Sequence, residues 1–409
     1  MVNYRVVYEK LQWCTAPGEK EVLLLGRIRD FFVDLPRQVD MLLLALCCAA
    51  SGYGLLMVCS ATRYMNSTRN LKVQAAATVI GIILYLLMSL VDIGALTKKG
   101  WKWMCLGSAV FIGLLRTPLG RADNTGNRAW LKFPFLPVSI QPAEIAKIVF
   151  ILVLAYQLVW LREHRDDQLR RFSSVAFLAA HLLALFGLYY VISRDMGSAL
   201  VYVFIFACMC FVAGMAIRWF VLALLGGGTA FYLLWELDKI PDYMKKRFMV
   251  LLDHSFDPLD TGWQQTRGLM TLGGGRLFGQ GLFHGVQTQS SVSESLPSRH
   301  TDFIFCVIGE ELGMVGCLMA LALLTAIILR CLRVAKNAQG DLERYVGVGV
   351  AGMLIFQVVS NVGMCLFVLP VIGLTLPFFS YGGSSVVMLY AAMGIVSGIH
   401  RRARPEWVR

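Results

Sequence analysis

The sequence predicts an all-α, polytopic membrane protein with about ten transmembrane helices, and three observations carry that reading. Apolar runs near 20 residues recur along the whole chain, the length a helix needs to cross the hydrocarbon core. Charged residues make up only 16% of the chain and mean hydropathy is +0.63, whereas an ordinary globular chain carries roughly a quarter charged residues. The longest stretch between apolar runs, 238–301, leaves no room for a separate catalytic domain. Whatever the protein does, it does in or at the bilayer.

The ten spans read, in order, about 41–60, 73–93, 103–117, 141–160, 173–192, 198–216, 219–237, 302–330, 347–368 and 385–400. The third is short and the eighth long. An even number of crossings puts both termini on one side, and residues 1–40 form a polar N-terminal arm, 41–402 the membrane domain and 403–409 a tail. The arm is mixed in charge and does not read as a signal peptide. Arg5, Lys10, Lys20, Arg27, Arg29 and Arg37 lie in the arm. On the same side fall Lys98, Lys99 and Lys102; Arg162, Arg165, Arg170 and Arg171; Arg330, Arg333, Lys336 and Arg344; and Arg401, Arg402 and Arg404. Arg63, Arg69, Lys72, Arg121 and Arg128 dilute the contrast on the other side, yet the bias predicts cytoplasmic N- and C-termini.

The formal charge of +12 does not imply nucleic acid, because no basic helix or aromatic-interleaved patch collects it. Eleven cysteines, including Cys47, Cys48, Cys208 and Cys210, fall mostly in apolar runs without a CxxC pair, which fits small hydrophobes rather than a disulfide or zinc framework. The predicted outer side holds 118–140, 193–197 and the large loop 238–301. That loop contains Leu272-Gly-Gly-Gly-Arg-Leu-Phe-Gly-Gln-Gly-Leu-Phe-His-Gly285, too apolar for a solvated linker and without the Gly-Lys-Ser/Thr of a P-loop. It is expected in the interface or against the helix bundle.

Ionisable residues inside spans are costly and point to function by default. Gln141, Glu144 and Lys147 recur every three residues and share one helix face, either as a structural ion pair or as the wall of an outward cavity. Leu296-Pro-Ser-Arg-His-Thr-Asp302 runs straight into the eighth span, with Glu310 and Glu311 beyond it. Thr301 or Asp302 could cap that helix, and Glu310 lies about 12 Å deeper at ~1.5 Å per residue. Arg299 and His300 add positive charge beside Asp302. Arg128 and Trp130, Asp195 and Ser198, Arg247, and the break at Leu376-Pro-Phe-Phe-Ser-Tyr-Gly-Gly-Ser-Ser385 all fall on the same predicted side. Irregular backbone at membrane depth is tolerated only under protein or beside a water-filled cavity. One outward-facing site accounts for the coincidence.

Six ordered stretches resemble the signatures of the SEDS family (shape, elongation, division and sporulation), which includes FtsW, RodA and SpoVE. They are Gly126-Asn-Arg-Ala-Trp130, Ile140-Gln-Pro-Ala-Glu-Ile-Ala-Lys147, Arg194-Asp-Met-Gly-Ser-Ala199, Asp257-Pro-Leu-Asp-Thr-Gly-Trp-Gln-Gln265, the run from Arg299 to Gly313, and Leu376 to Ser385. The resemblance covers about 41–402. It implies a peptidoglycan glycosyltransferase that polymerises lipid II at the outer face of the cytoplasmic membrane, for division or elongation, beside a class B penicillin-binding transpeptidase. It maps the family's essential acid onto Asp302 and brings Gln264, Ser380 and Ser384 into the expected substrate site. The chain departs in Ser193-Arg-Asp-Met-Gly197, where relatives carry a proline before the acid, and in its long N-terminal arm.

Glycosyl transfer needs a base near the attacking 4-hydroxyl and positive charge near the departing diphosphate. Asp302 is the expected base. Arg128, Arg247 and Arg299 are the expected diphosphate ligands, since Arg offers two donors to phosphate oxygens. Glu144, Lys147 and Glu310 are expected to shape the cavity. Mg or Mn bridging Asp302 and diphosphate is compatible with this chemistry, although no clustered-carboxylate motif marks a fixed metal site. The rival function is a lipid II flippase, which needs polar groups reachable from both leaflets.

Overall fold

The computed structural model describes residues 39–122, 127–134, 139–165, 169–253, 261–292 and 295–403. Most of the N-terminal arm, the tail beyond Ala403 and part of the large loop lie outside these. Ten long helices account for the ten spans. In chain order they are α1 (Met41–Thr62), α2 (Arg69–Leu90), α3 (Ile93–Gly113), α4 (Pro142–Arg165), α5 (Phe172–Ser193), α6 (Met196–Val212) and α7 (Ile217–Glu236). Two shorter helices in the large loop, α8 (Asp242–Leu252) and α9 (Thr261–Gly274), precede α10 (Ile304–Lys336), α11 (Asp341–Cys365) and α12 (Gly383–Ala403). Eight of the ten are long and apolar enough to cross a membrane; α6 is shorter, and α3 carries lysines. A two-residue antiparallel ladder pairs β1 (Gly120–Arg121) with β2 (Trp130–Leu131) beside the start of α4.

The third span corrects the sequence reading. It begins at Ile93, ten residues before the expected start, because the Asp92 carboxylate accepts from the Ala95 N–H at 3.1 Å and caps it. Lys98, Lys99 and Lys102 break the apolar pattern but not the helix, because they sit exposed in its first turns, where long side chains reach the polar interface. Asp40 caps α1 and Asp195 caps α6 in the same way.

α11 and α12 are the most enclosed helices and α10 crosses beside both. α12 lies along α2 on small residues: a Cβ at Gly394 would meet the Tyr85 carbonyl at 2.5 Å, and one at Gly81 the Tyr390 ring at 2.7 Å. Close approach of this kind substitutes for the hydrophobic drive that lipid removes. α7 is the opposite case, for none of its residues is buried. At the end of the bundle where α1 begins, the Asp40 carboxylate receives Arg330 of α10 at 2.8 and 3.0 Å, and the Asp40 carbonyl accepts from Tyr85 at 2.8 Å. At the other end gather the described parts of the connections 114–141, 194–195, 237–303 and 366–382.

Candidate active site

At that second end the chain turns through Ser298–Phe303 into α10. The helix is capped at Phe303 without a side-chain hydrogen bond, and the Thr301 hydroxyl donates instead to the Ser298 carbonyl at 3.2 Å. Thr301 therefore does not provide the cap that the sequence left open. Asp302 is half-buried, and its carbonyl accepts from Asn361 Nδ2 of α11 at 2.8 Å. The two preceding carbonyls are also engaged: Thr301 by the Ser380 hydroxyl at 2.6 Å, His300 by the Tyr381 N–H at 2.8 Å. Three consecutive peptide units are thus fixed from outside their own turn. Burial, and the charge of adjacent Arg299, hold the His300 imidazole below its ordinary pKa.

Glu310, expected to shape a substrate cavity, is enclosed and committed. Its carboxylate accepts from the N–H groups of Gln287 and Thr288, both at 2.8 Å, and from the Thr288 hydroxyl at 2.7 Å. Arg299 holds the other edge of the same segment, donating to the carbonyls of Gln287, Thr288 and Ser290 and lying over the Tyr64 ring at 3.7 Å. Burial lowers its pKa, yet an Arg stays charged. Arg299 is thus buried and turns its Nη1 to this loop. Glu311 accepts from the Ser60 hydroxyl at 2.6 Å and from Gln289 at 2.9 Å.

The Gly-rich segment lies against α10, as its apolar character predicts. α10 is broken at Gly313 (φ 68°, ψ −163°), and the segment fills the break. Gln280 and Gly281 donate to the carbonyls of Glu310 and Glu311 at 2.8 and 3.0 Å, while Met314 and Val315 donate to those of Arg276 and Leu277 at 2.9 and 3.2 Å. Glycine is required by proximity: a Cβ at Gly275 would stand 1.8 Å from the Gly309 carbonyl oxygen.

Glu144 and Lys147 form a buried ion pair of 2.8 Å, the structural alternative of the two read from their spacing. Gln141 Nε2 reaches the Ser198 hydroxyl at 3.5 Å. The Asp195 carboxylate accepts from the Ser198 N–H and the Tyr189 hydroxyl, both at 3.1 Å, so the loss of a preceding proline leaves a capped helix start. Arg128 is exposed and joins this turn through its N–H to the Ser193 carbonyl at 3.0 Å, with Trp130 half-buried two residues on. Arg247 donates to the Val371 carbonyl at 2.6 Å, which ties α8 to the 366–382 segment. Gln264 is exposed, whereas Gln265 is buried and donates to the carbonyls of Met364 and Leu369 at 3.2 and 2.8 Å. Ser380 turns to backbone rather than outward, and Ser384 is buried at the start of α12. Arg128, the 193–197 turn, the 366–382 segment and Asp302 are therefore linked at one end of the bundle.

Two amides escaped the sequence reading. Asn361 is one. Gln74 of α2 is the other: its Nε2 donates to the Ser380 carbonyl and its Oε1 accepts from the Gly382 N–H, both at 3.0 Å. A lone uncharged polar residue in an apolar run was the available signal. Among the described residues no three His, Cys, Asp or Glu gather to hold a metal. Asp302 stands half-buried on a fixed turn, and a carboxylate is a group suited to taking a proton.

The family model described as "Cell cycle protein", covering FtsW, RodA and SpoVE, matches residues 40–405. The chain is 30% identical over 377 residues to a probable peptidoglycan glycosyltransferase FtsW of Geobacter metallireducens, covering 89% of this chain and 95% of that one. It is 32% identical over 362 residues to the peptidoglycan glycosyltransferase MrdB of Escherichia coli, covering 88% and 93%. Its fold matches a solved structure described as structural coordination of polymerization and crosslinking by a peptidoglycan synthase complex, with a TM-score of 0.75, 31% identity and coverage of 90% and 99%. The rod shape determining protein RodA of Thermus thermophilus gives 0.65, 30%, 90% and 98%.

Proposed function

This chain belongs to the FtsW/RodA/SpoVE family, and we propose that it works as that family's peptidoglycan glycosyltransferase with its reaction centre at Asp302. It is a multi-pass membrane protein, a glycosyltransferase joining the disaccharide units of lipid II into glycan strands. The single observation that carries the site is the fixed, half-buried Asp302 at the end of the bundle where the irregular connections converge.

In the proposed reaction the Asp302 carboxylate takes the proton of the attacking sugar 4-hydroxyl as that oxygen bonds the anomeric carbon and the polyprenyl diphosphate departs. Positioned bases contribute about 10²–10⁴-fold. Of the three arginines expected at the diphosphate, Arg128 remains exposed for the task, while Arg299 and Arg247 are turned to backbone carbonyls. Glu144 and Lys147 neutralise each other beneath this surface and set the packing of α4. A divalent cation carried in by the diphosphate would find Asp302 as its protein carboxylate.

The flippase alternative draws on intramembrane Glu144, Lys147 and Glu310. The first two are closed on each other and the third on Gln287 and Thr288, which favours polymerisation. The charge bias of the connections supports cytoplasmic termini and an extracytoplasmic Asp302. Likeness to a chain from a peptidoglycan synthase complex supports a class B penicillin-binding transpeptidase as partner. Purified protein given labelled lipid II should produce glycan ladders, and Asp302→Asn, still folded, should produce them about 10²–10⁴-fold more slowly. Ladders at the wild-type rate from Asp302→Asn would remove the carboxylate from the base role.

A further inference from the structure

We infer that Asn361 is a positioning residue for glycan polymerisation, acting through the backbone of Asp302, with Ser380 and Gln74 completing the hold. The inference rests on the reading of Asp302 as the base. Asn361 lies near the C-terminal end of α11, one of the most enclosed helices, and is itself fully buried. A polar side chain at such a place is costly, and a leucine would fill similar space at no such cost. What the amide supplies is two donated bonds from one nitrogen, to the Asp302 carbonyl at 2.8 Å and to the Leu374 carbonyl at 2.7 Å. One side chain therefore joins the start of α10 to the irregular segment before α12.

Two further bonds to this turn come from that same irregular segment, and the Cys365 thiol adds a longer one to the Asp302 carbonyl at 3.8 Å. Ser380 Oγ serves twice, donating to the Thr301 carbonyl at 2.6 Å and accepting from the Leu376 N–H at 2.9 Å. The Tyr381 N–H takes the His300 carbonyl at 2.8 Å. The segment is in turn clamped by Gln74, which reads the Ser380 carbonyl and the Gly382 N–H as a pair, and by a close approach of α1, since a Cβ at Gly54 would stand 2.4 Å from the Phe378 carbonyl oxygen. A generic helix–helix bond would settle the packing of α10 anywhere along its length. These bonds converge instead on the three carbonyls that end at the one residue carrying the proposed base. Displacement of a reacting group by ~1 Å can cost about 10²-fold in rate, so this hold acts on turnover and not on substrate affinity.

The test is steady-state polymerisation of labelled lipid II by full-length Asn361→Leu, Ser380→Ala and Asp302→Asn, each confirmed folded by its thermal transition. Asn361→Leu should lower kcat by about 10- to 100-fold while KM stays within about threefold. Ser380→Ala should lower kcat in the same sense by about tenfold, and it decides the matter if Asn361→Leu does not fold. Added to Asp302→Asn, either change should have no further effect on the residual rate, because partners acting as one unit are not additive. Wild-type kcat in folded Asn361→Leu, or in Ser380→Ala where Asn361→Leu cannot be obtained, overturns the inference. So does a loss confined to KM, or a full additional loss in the Asp302→Asn background. Wild-type kcat in Asp302→Asn overturns the parent reading instead, so the two failures are told apart.

Discussion

Asp302 and Glu310 are both acids of one short run, and their surroundings give them opposite work. Glu310 receives three donors and is closed to substrate, so its loss should register as stability. Hydrogen bonds to a charged group contribute about 1.5–3 kcal/mol each; Glu310→Gln, which turns an amide N–H toward one of those donors, should lower the thermal transition in detergent with little change in KM. His300 gives a test in pH. Burial holds its imidazole below the usual pKa, so the unfolded chain binds the proton more readily, and stability present above about pH 6.5 declines as pH falls. Thermal transitions measured from pH 7.5 to 5 should fall more steeply in the wild type than in His300→Gln. At this scale the sequence named the chemistry-bearing types and grouped them at one end of the spans. It could not say that Arg299 and Arg247 face carbonyls, or that Gln265 rather than Gln264 turns inward, because those outcomes depend on segments distant in the chain.

Among elements, α10 and the loop that enters it are the clearest case of mutual dependence. Gly313 sits at φ 68°, and a Cβ there would stand 2.4 Å from the Gly279 nitrogen and 2.5 Å from the Leu277 carbonyl oxygen. Gly313→Ala should therefore expel the Gly-rich segment, and a cysteine at exposed Leu277 should change its rate of labelling by a membrane-impermeant thiol reagent. An unchanged rate would mean that the helix accommodates the methyl with the loop in place. Length and hydropathy made the spans legible in order, including the long eighth. They missed the onset of α3, where a capping Asp92 and three exposed lysines extend a helix beyond its apolar portion. They also did not reveal the break at Gly313, since a glycine in an apolar run carries no mark of its conformation.

The molecule as a whole is unevenly knit. α4, α11 and α12 form its enclosed centre, whereas α7 buries no residue. Truncating a side chain on α7, as in Leu224→Ala, should shift the thermal transition little. Leu389→Ala in α12, which is 2% exposed, should cost about 2–5 kcal/mol. Hydrogen exchange should run faster along α7 than along α11, because low local burial permits local opening. The sequence could not rank the helices this way, since all ten read as apolar. One consequence of the interrupted α10 concerns covalent continuity. The four main-chain bonds between 276–281 and 310–315 would be lost if the two segments parted, and a main-chain group left unpaired away from water costs several kcal/mol. A peptide-bond cut engineered near Ser291 would thus leave two fragments that migrate together in mild detergent, and the two halves expressed as separate genes should reassemble into one protein.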